Sequence, residues 1–277
     1  MKNIKIYFLL LLTTLVACEE TIDLDPDQVE SVVVIEGLIT DIQTYHHVRV
    51  TETIDFYSEG KPTPITTASV TITDDSGNTY PFEHNQSGRE DFDGYYYPSN
   101  AFAGVIGRSY TMEVVYNGET YTATDQLYAV TAIDSLEVII NEDEFEDPDD
   151  PNYFYEVLFY AKEPQETEDY YLFKFYRNDS LILDDATDIY FSDDEVLAEQ
   201  INGIPTAGFY TKGDTAVVEM YSISKQAFIY YNDLINLLKS DGGMFGSPPV
   251  NPRTNISNGA MGYFQTSAVV SETAYIE

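Results

Sequence analysis

The sequence predicts a mainly β fold of two β-rich domains, with one amphipathic helix in the second. Short segments of apolar or alternating residues recur along most of the chain and are separated by tight-turn sequences. The 24 Tyr and 15 Phe residues, with no Trp, form a balance typical of β-rich proteins. Only residues 225–239 show apolar positions spaced by three and four, the pattern of a helix face.

The N-terminal segment, residues 1–17, predicts a signal peptide. Lys2 and Lys5 precede or interrupt an apolar run that is too short to anchor a chain as a membrane-spanning helix. The run ends in Leu15-Val16-Ala17-Cys18, which resembles the lipobox of bacterial lipoproteins. That resemblance implies that Cys18 becomes the acylated first residue of the mature chain and anchors it in a membrane. The alternative is a free thiol behind a signal peptide that is cut elsewhere.

Residues 18–31 are polar, acidic and without periodicity, and predict a tether between the lipid and the fold. Glu19 and Glu20 directly follow the lipid-bearing cysteine. In Bacteroidota-type lipoproteins, acidic residues at this position resemble the export signal for the outer face of the outer membrane. The resemblance therefore implies an outer-membrane protein that is anchored by lipid and faces the outside.

The net charge of −35 excludes nucleic acids as a class of partner, because binding to phosphates needs Lys and Arg to displace counterions. Such a charge also repels anionic lipid headgroups. With a single Cys, the sequence offers no disulfide, so core packing must stabilise the fold.

Residues 32–130 predict a β-sandwich of immunoglobulin-like or transthyretin-like type. About seven short strands follow one another without a helix pattern, as such sandwiches require. Asn117-Gly118 between two of them is the strongest short hairpin signal, because both positions tolerate positive φ.

Residues 131–277 predict a second β-rich domain. The segments 153–160 and 170–176 are apolar on both faces, so something must cover each face of this sheet. The helix is expected at about 225–239, with Ser224 as its N-cap and Gly242-Gly243 as its stop. A last strand is expected from Gly262 through Val270.

Several segments together resemble a lipoprotein family of Bacteroidota known as domain of unknown function 4249. They are the lipobox with its acidic tail, Val33–Gly37, Ala68–Ile72, and the C-terminal run of Pro248-Pro249, Asn255-Ile256 and Gly259–Phe264. The resemblance implies a partner of SusC-like TonB-dependent receptors in the outer membrane. It supplies no catalytic residues.

The sequence shows no pattern of an enzyme. His46 and His47 are adjacent, so on a strand they face opposite sides and cannot share one metal ion. With only His84 and one Cys besides, a zinc site is not predicted. Nucleophile-elbow, Walker and dinucleotide motifs are absent.

Two acidic segments, 143–150 and 184–195, offer hard oxygen ligands suited to Ca²⁺ or Mg²⁺. No other cofactor is predicted. The alternative is a solvated acidic loop, since neither segment has the spacing of an EF-hand. The candidate ligands in the first segment are Asp143, Glu144, Asp147, Asp149 and Asp150.

Ser135, Ser180 and Thr215 each follow an Asp in triplets that resemble the short O-glycosylation sequon of Bacteroidota envelope proteins. Chance matches are expected in a chain this rich in Asp.

The segment 243–264 is the most distinctive stretch, because its prolines and asparagines alternate with large apolar residues. One interpretation is an ordered loop that binds a partner. The other is a segment that folds back and covers the strands that are apolar on both faces. The candidate partner residues are Phe245, Pro248, Pro249, Asn255, Tyr263 and Phe264.

The sequence thus predicts a non-enzymatic surface lipoprotein that docks on an outer-membrane β-barrel, either SusC-like or an assembly complex, as a capture, lid or scaffold subunit. The first alternative is a free-standing ligand-binding or adhesive lipoprotein, which predicts a deep Tyr-lined pocket. The second is a hydrolase with a carboxylate site, since some Asp and Glu pair would satisfy the required separation by chance.

Overall fold

The computed structural model describes residues 31–54, 60–85, 87, 89–140, 155–162, 167–194, 200–240 and 250–277. The fold is mainly β, as predicted, and its strands form three sheets. The strands in chain order are β1 Val33–Thr40, β2 His47–Glu52, β3 Thr63–Pro64, β4 Ser69–Asp74, β5 Thr79–His84, β6 Tyr95–Pro98, β7 Ser109–Tyr116, β8 Glu119–Gln126, β9 Ile133–Ile140, β10 Tyr155–Lys162, β11 Tyr170–Arg177, β12 Ser180–Leu181, β13 Tyr190–Asp193, β14 Gln200–Pro205, β15 Thr215–Ser222, β16 Met261–Ser267 and β17 Val269–Tyr275.

The first sheet has nine strands in the order β16-β1-β2-β6-β5-β4-β7-β8, with β3 paired to β2. All its pairs are antiparallel except β1 with β16, which run parallel. The alternating strands turn one face inward, which fits the period of two in their sequences. The core of this sheet includes Ile35, Val50, Ile72, Met112 and Phe264.

The two ends of the first sheet are held together, so the sheet folds back on itself. The backbone N–H of Thr266 in β16 donates to the Asp125 carboxylate in β8 over 2.8 Å. Nearby, Ser257 and Thr122 exchange two hydrogen bonds of 2.8 Å each. These contacts close the sheet into a sandwich or near-barrel.

The second β unit packs a three-stranded sheet, β14-β10-β9, against a five-stranded one, β12-β11-β15-β17 with β13 on β11. Phe159 from the first of these sheets meets Phe173 and Phe175 from the second, with ring centroids 5.4 and 6.0 Å apart. Tyr170 and Leu172 on the opposite face of β11 pack in another cluster with helix residues. Strand β11 is therefore covered on both faces, as its sequence requires.

Helix α1 spans Lys225–Leu238, within the predicted 225–239. Its N-cap is Ser224, whose hydroxyl accepts a hydrogen bond from the N–H of Ala227 over 3.2 Å. Ala227 is buried and packs with Tyr170 and Tyr221 of the five-stranded sheet. The helix thus covers the outer face of β11.

The C-terminal part of the chain contributes strands to both units. The predicted division at residue 130 placed all of it in the second domain. Strand β16 completes the first sheet by pairing with β1, and β17 then pairs with β15 in the second unit. The predicted single strand from Gly262 is therefore two strands. They are separated at the fully buried Ala268, whose N–H donates to the Ser222 hydroxyl over 2.9 Å.

Candidate functional site

A cleft lies where the first sheet, strand β11 and helix α1 meet, and we call it the junction cleft. Its volume is about 250 Å³. Leu38, Leu172 and Leu234 give it an apolar wall, and polar side chains from five elements line the same space. An apolar concave surface with a few convergent polar groups is the usual form of a small-molecule site.

Three tyrosines line the junction cleft. Tyr230 and Tyr231 lie next to each other on α1, and the ring of Tyr230 packs 4.9 Å from that of Tyr263 on β16. The Tyr231 hydroxyl donates to the side-chain oxygen of Gln265 over 2.6 Å. Burial raises the pKa of all three hydroxyls, that of Tyr230 to about 12. At neutral pH they are therefore protonated and can donate hydrogen bonds.

Lys174 brings a positive charge to the junction cleft from β11. Its ammonium lies 4.6 Å from the centroid of the Tyr221 ring. Burial lowers the pKa of Lys174, and the charge of Glu219 opposes that effect. Glu219 already accepts hydrogen bonds from Tyr221 and Tyr176, of 2.6 and 3.0 Å. Among the residues that the structure describes, no carboxylate lies within 4.0 Å of the Lys174 ammonium.

The rim of the junction cleft also carries Glu36 and His47. Glu36 faces Arg49 across the β1–β2 pair and forms a 3.1 Å ion pair with it. Burial lowers the pKa of His47; the charge of Glu36 raises it and that of Lys174 lowers it further. The negative charge on this rim is thus partly neutralised by Arg49, and His47 is mainly neutral at pH 7.

A buried carboxyl group lies next to the cleft tyrosines. Asp125 on β8 is only 5% exposed. Burial raises its pKa to about 6, although hydrogen bonds from Thr266 and Ser224 act in the opposite direction. Its charge in turn contributes to the raised pKa of Tyr231 and Tyr263. The carboxyl group joins β8 to β16 behind the cleft.

A second surface feature is a group of exposed apolar side chains at one end of the first sheet, which we call the apolar loop cluster. Its members are between 43% and 58% exposed, and they are Ile42, Tyr45, Val105, Ile106 and Tyr128. They lie on three loops joined by backbone hydrogen bonds from Gly104 to Thr40, from Thr44 to Phe102 and from Gly107 to Leu127, of 2.7, 3.2 and 2.8 Å. The loops are therefore neighbours in the fold.

Most of the residues predicted to have a function lie outside the described residues. These are the lipidation site and its export signal, the candidate cation ligands, and three of the partner-surface residues: Cys18, Glu19, Glu20, Asp143, Glu144, Asp147, Asp149, Asp150, Phe245, Pro248 and Pro249. The corresponding assignments stay predictions.

The other three candidate partner residues, Asn255, Tyr263 and Phe264, are packed or hydrogen-bonded within the fold. Phe264 is fully buried in the core of the first sheet. The Asn255 side chain bonds both the N–H and the carbonyl oxygen of Phe264, over 3.0 and 2.7 Å. Tyr263 is 6% exposed and packs with Tyr170 and Leu172 on the outer face of β11. The prediction of an exposed partner surface at these three positions is wrong, because Phe264 lies in the core of the first sheet, Asn255 bonds its backbone, and Tyr263 packs against β11.

The predicted glycosylation sites occupy different environments. Ser135 on β9 and Ser180 on β12 are exposed. Thr215 is half-buried at the start of β15, where its N–H donates to the side chain of Asn178 over 2.9 Å. Glycosylation at these positions stays a prediction.

The histidines and the second acidic segment have local structural roles. His46 is buried, with its Nε2 2.9 Å from the Phe102 carbonyl oxygen, and His84 accepts from the N–H of Gly94 over 3.2 Å. Asp188 accepts from the N–H groups of Asp184 and Asp185, over 3.0 and 2.8 Å. Within the described ranges, no three His, Cys, Asp or Glu side chains are grouped to hold a metal ion. No helix in these ranges is long and apolar enough to span a bilayer.

A model of the protein family described as a domain of unknown function, DUF4249, matches residues 19–273. The chain belongs to the DUF4249 family. No curated protein matches this member of the family.

Sequence reasoning did not identify the junction cleft of this DUF4249-family member. One signal was present, since Lys174 is a charged residue in the middle of Tyr170–Tyr176, a strand apolar on both faces. Tyr230 and Tyr231 gave no signal, because aromatic residues on a helix face are usually core residues. Their common site depends on how α1 is placed against β16.

Proposed function

We propose that this DUF4249-family chain is a non-enzymatic lipoprotein of the outer-membrane surface that docks on an outer-membrane β-barrel of the TonB-dependent type. It would serve that barrel as a capture, lid or scaffold subunit. The sequence at Cys18 supports the anchor, and the apolar loop cluster is the observation that supports docking.

The position of the apolar loop cluster suits a protein partner. The cluster lies at the carboxyl end of β1, whereas residue 31 enters at the other end. The eight residues of β1 separate the two by roughly 26 Å. The cluster therefore projects away from the point where the chain arrives from its lipid.

The loops that carry the cluster are held in place. Phe102 stacks on Tyr80 with ring centroids 4.1 Å apart and packs edge-on against His46 at 4.7 Å. A preformed apolar surface of this kind is stabilised when a partner removes it from water.

The net charge of the chain favours a protein over a lipid surface as the occupant. With a formal charge of −35, the body is repelled by anionic headgroups, so insertion of the cluster into a bilayer is disfavoured. A barrel surface that carries apolar groups and some positive charge would complement both the cluster and its surroundings.

Replacing the lipid-bearing cysteine tests the anchor. Cys18→Ser removes the thiol that is acylated, so we expect the protein to leave the envelope fraction during a carbonate wash. Immunoblots of the membrane and supernatant measure the change. The matched control, Glu19→Gln with Glu20→Gln, should stay in the membrane but lose accessibility to protease added to whole cells. Retention of Cys18→Ser in washed envelopes would contradict the anchor.

Affinity purification after gentle detergent extraction tests docking. We expect a large β-barrel protein to copurify with the tagged wild type and to be identified by mass spectrometry. Ile42→Asp with Ile106→Asp places charge in the apolar loop cluster and should reduce recovery of the barrel at least about tenfold.

The matched control is Leu183→Asp with Tyr275→Asp, at two apolar residues that are 52% and 71% exposed and lie in the second β unit. This variant should retain the barrel. Equal loss from both variants would show that the cluster is not the docking surface. Absence of any barrel from the wild type would overturn the docking function itself.

A further inference from the structure

We propose that the junction cleft binds a small organic carboxylate. Its carboxylate group would contact the Lys174 ammonium and the Tyr230 hydroxyl, and its apolar body would lie against the leucine wall. This inference is independent of docking on a barrel, because the cleft and the apolar loop cluster are separate surfaces.

The state of Lys174 is the first argument for an anionic ligand. Its ammonium is half-buried, and no carboxylate of the described residues lies within 4.0 Å. Within the described residues its ammonium lies 4.6 Å from the centroid of the Tyr221 ring, and Glu219, opposite it on β15, raises its pKa but forms no ion pair with it. Removal of an ammonium group from water is unfavourable unless an opposite charge compensates it. A ligand carboxylate in the cleft would supply that charge.

The hydroxyl groups are the second argument. Tyr230 lines the junction cleft, and within the described residues its hydroxyl has no hydrogen-bond partner. The other two cleft tyrosines are already engaged, since Tyr231 donates to Gln265 and the Tyr263 hydroxyl lies 3.3 Å from that of Ser224. The neutral Tyr230 hydroxyl can donate to an anion, and hydrogen bonds to charged acceptors are stronger than those to neutral ones.

The size and apolar wall of the cleft restrict the ligand further. Sites for drug-sized ligands usually enclose about 300–1,000 Å³, whereas the junction cleft encloses about 250 Å³. Leu38, Leu172 and Leu234 would contact a hydrocarbon or aromatic body. Glu36 also lines the cleft, is paired with Arg49 and raises the pKa of Tyr230 by its charge, and it disfavours a second negative charge on the ligand. The cleft therefore fits a monocarboxylate with a short apolar body.

Binding of three carboxylates and their amides tests this specificity. The probes are benzoate, phenylacetate and hexanoate, each paired with its neutral amide, and binding to the wild type is measured by titration calorimetry and by ligand-observed NMR. At least one carboxylate should bind at least about tenfold more tightly than its amide, because the amide keeps the shape but lacks the charge.

Lys174→Met keeps the aliphatic stem and removes the charge, so it should weaken carboxylate binding at least about tenfold and leave amide binding unchanged. The matched control is Lys162→Met, at an exposed lysine on β10, which should bind like the wild type. If Lys174→Met does not fold, Tyr230→Phe removes one hydroxyl from a half-buried ring of the helix and should weaken carboxylate binding several-fold.

Three results would overturn the proposal. The first is no binding of any of the three carboxylates at about 10 mM, a concentration that detects even weak sites. The second is equal affinity for each carboxylate and its amide. The third is wild-type affinity in both Lys174→Met and Tyr230→Phe. None of these results bears on whether a barrel copurifies, so failure here is distinguishable from failure of docking.

Discussion

Gly262→Ala is expected to destabilise the protein by at least about 3 kcal/mol, the upper end of the usual range for a single substitution. Gly262 lies opposite Ile35 in the parallel pair of β1 and β16. A Cβ atom at position 262 would lie 2.1 Å from the Ile35 carbonyl oxygen, and the residue has φ of +93°. Because the obstacle is backbone, no side-chain rotation can relieve the clash, and the two strands must separate.

Gly259→Ala provides the matched control for this prediction. Gly259 lies three residues earlier and also has positive φ, +76°, but no atom lies within 4 Å of a Cβ built there. Its substitution should lower the free energy of unfolding by only about 1–2 kcal/mol, which is the cost of holding Ala in a left-handed conformation. Urea unfolding, followed by circular dichroism, measures both variants. Equal losses of unfolding free energy in the two variants would show that the close approach of Gly262 to the Ile35 carbonyl oxygen adds nothing to the cost of a Cβ atom.

The local elements of this fold could be predicted because their signals are local. The alternation in Tyr110–Tyr116 and the turn at Asn117-Gly118 predict the β7–β8 hairpin, and Asn117 and Gly118 indeed have φ of 51° and 83°. The three-and-four spacing with Ser224 at its start likewise predicted α1 nearly to the residue. Each of these signals is contained in fewer than 20 residues.

The pairing of β16 with β1 could not be predicted in the same way. The run Met261–Ser267 favours a strand, but its partner lies near the other end of the described chain, and the register depends on which face is buried. The two faces of β16 go to different cores, Phe264 to the first sheet and Tyr263 to the cover of β11. Residues that looked like an apolar partner surface are therefore structural.

The candidate site was unpredictable for a related reason. The junction cleft is formed by β1, β2, β11, α1 and β16, which are distant in the sequence. A charged Lys174 inside an apolar strand showed that something unusual occurs there. Its neighbours could be identified only once the helix was placed over β11.

The free energy of unfolding of Asp125→Asn is expected to increase relative to that of the wild type as the pH rises from about 4 to 7. The folded-state pKa of Asp125 is raised to about 6, above the value of 3.8 for an unperturbed Asp. Between these values the folded state binds more protons than the unfolded state, so wild-type stability falls as the pH rises through this window. Above pH 6 the buried charge costs the wild type about 3 kcal/mol, from a shift of roughly two pKa units. The amide of the variant does not titrate and avoids this cost.

Asp74→Asn is the matched control with the opposite sign. Asp74 is also 5% exposed, but its pKa is lowered: burial raises it, and hydrogen bonds from Asn78, Ser76 and Arg108 lower it by more. The Asp74 contribution is present above the unfolded pKa and is lost as the pH falls, so Asp74→Asn should cost most at neutral pH and least in acid. Denaturant unfolding at pH values from about 2 to 8 measures all three proteins, because the Asp74 contribution changes only below about pH 4. A stability difference between Asp125→Asn and wild type that does not change with pH would mean that the carboxyl group joining β8 to β16 does not titrate in this range.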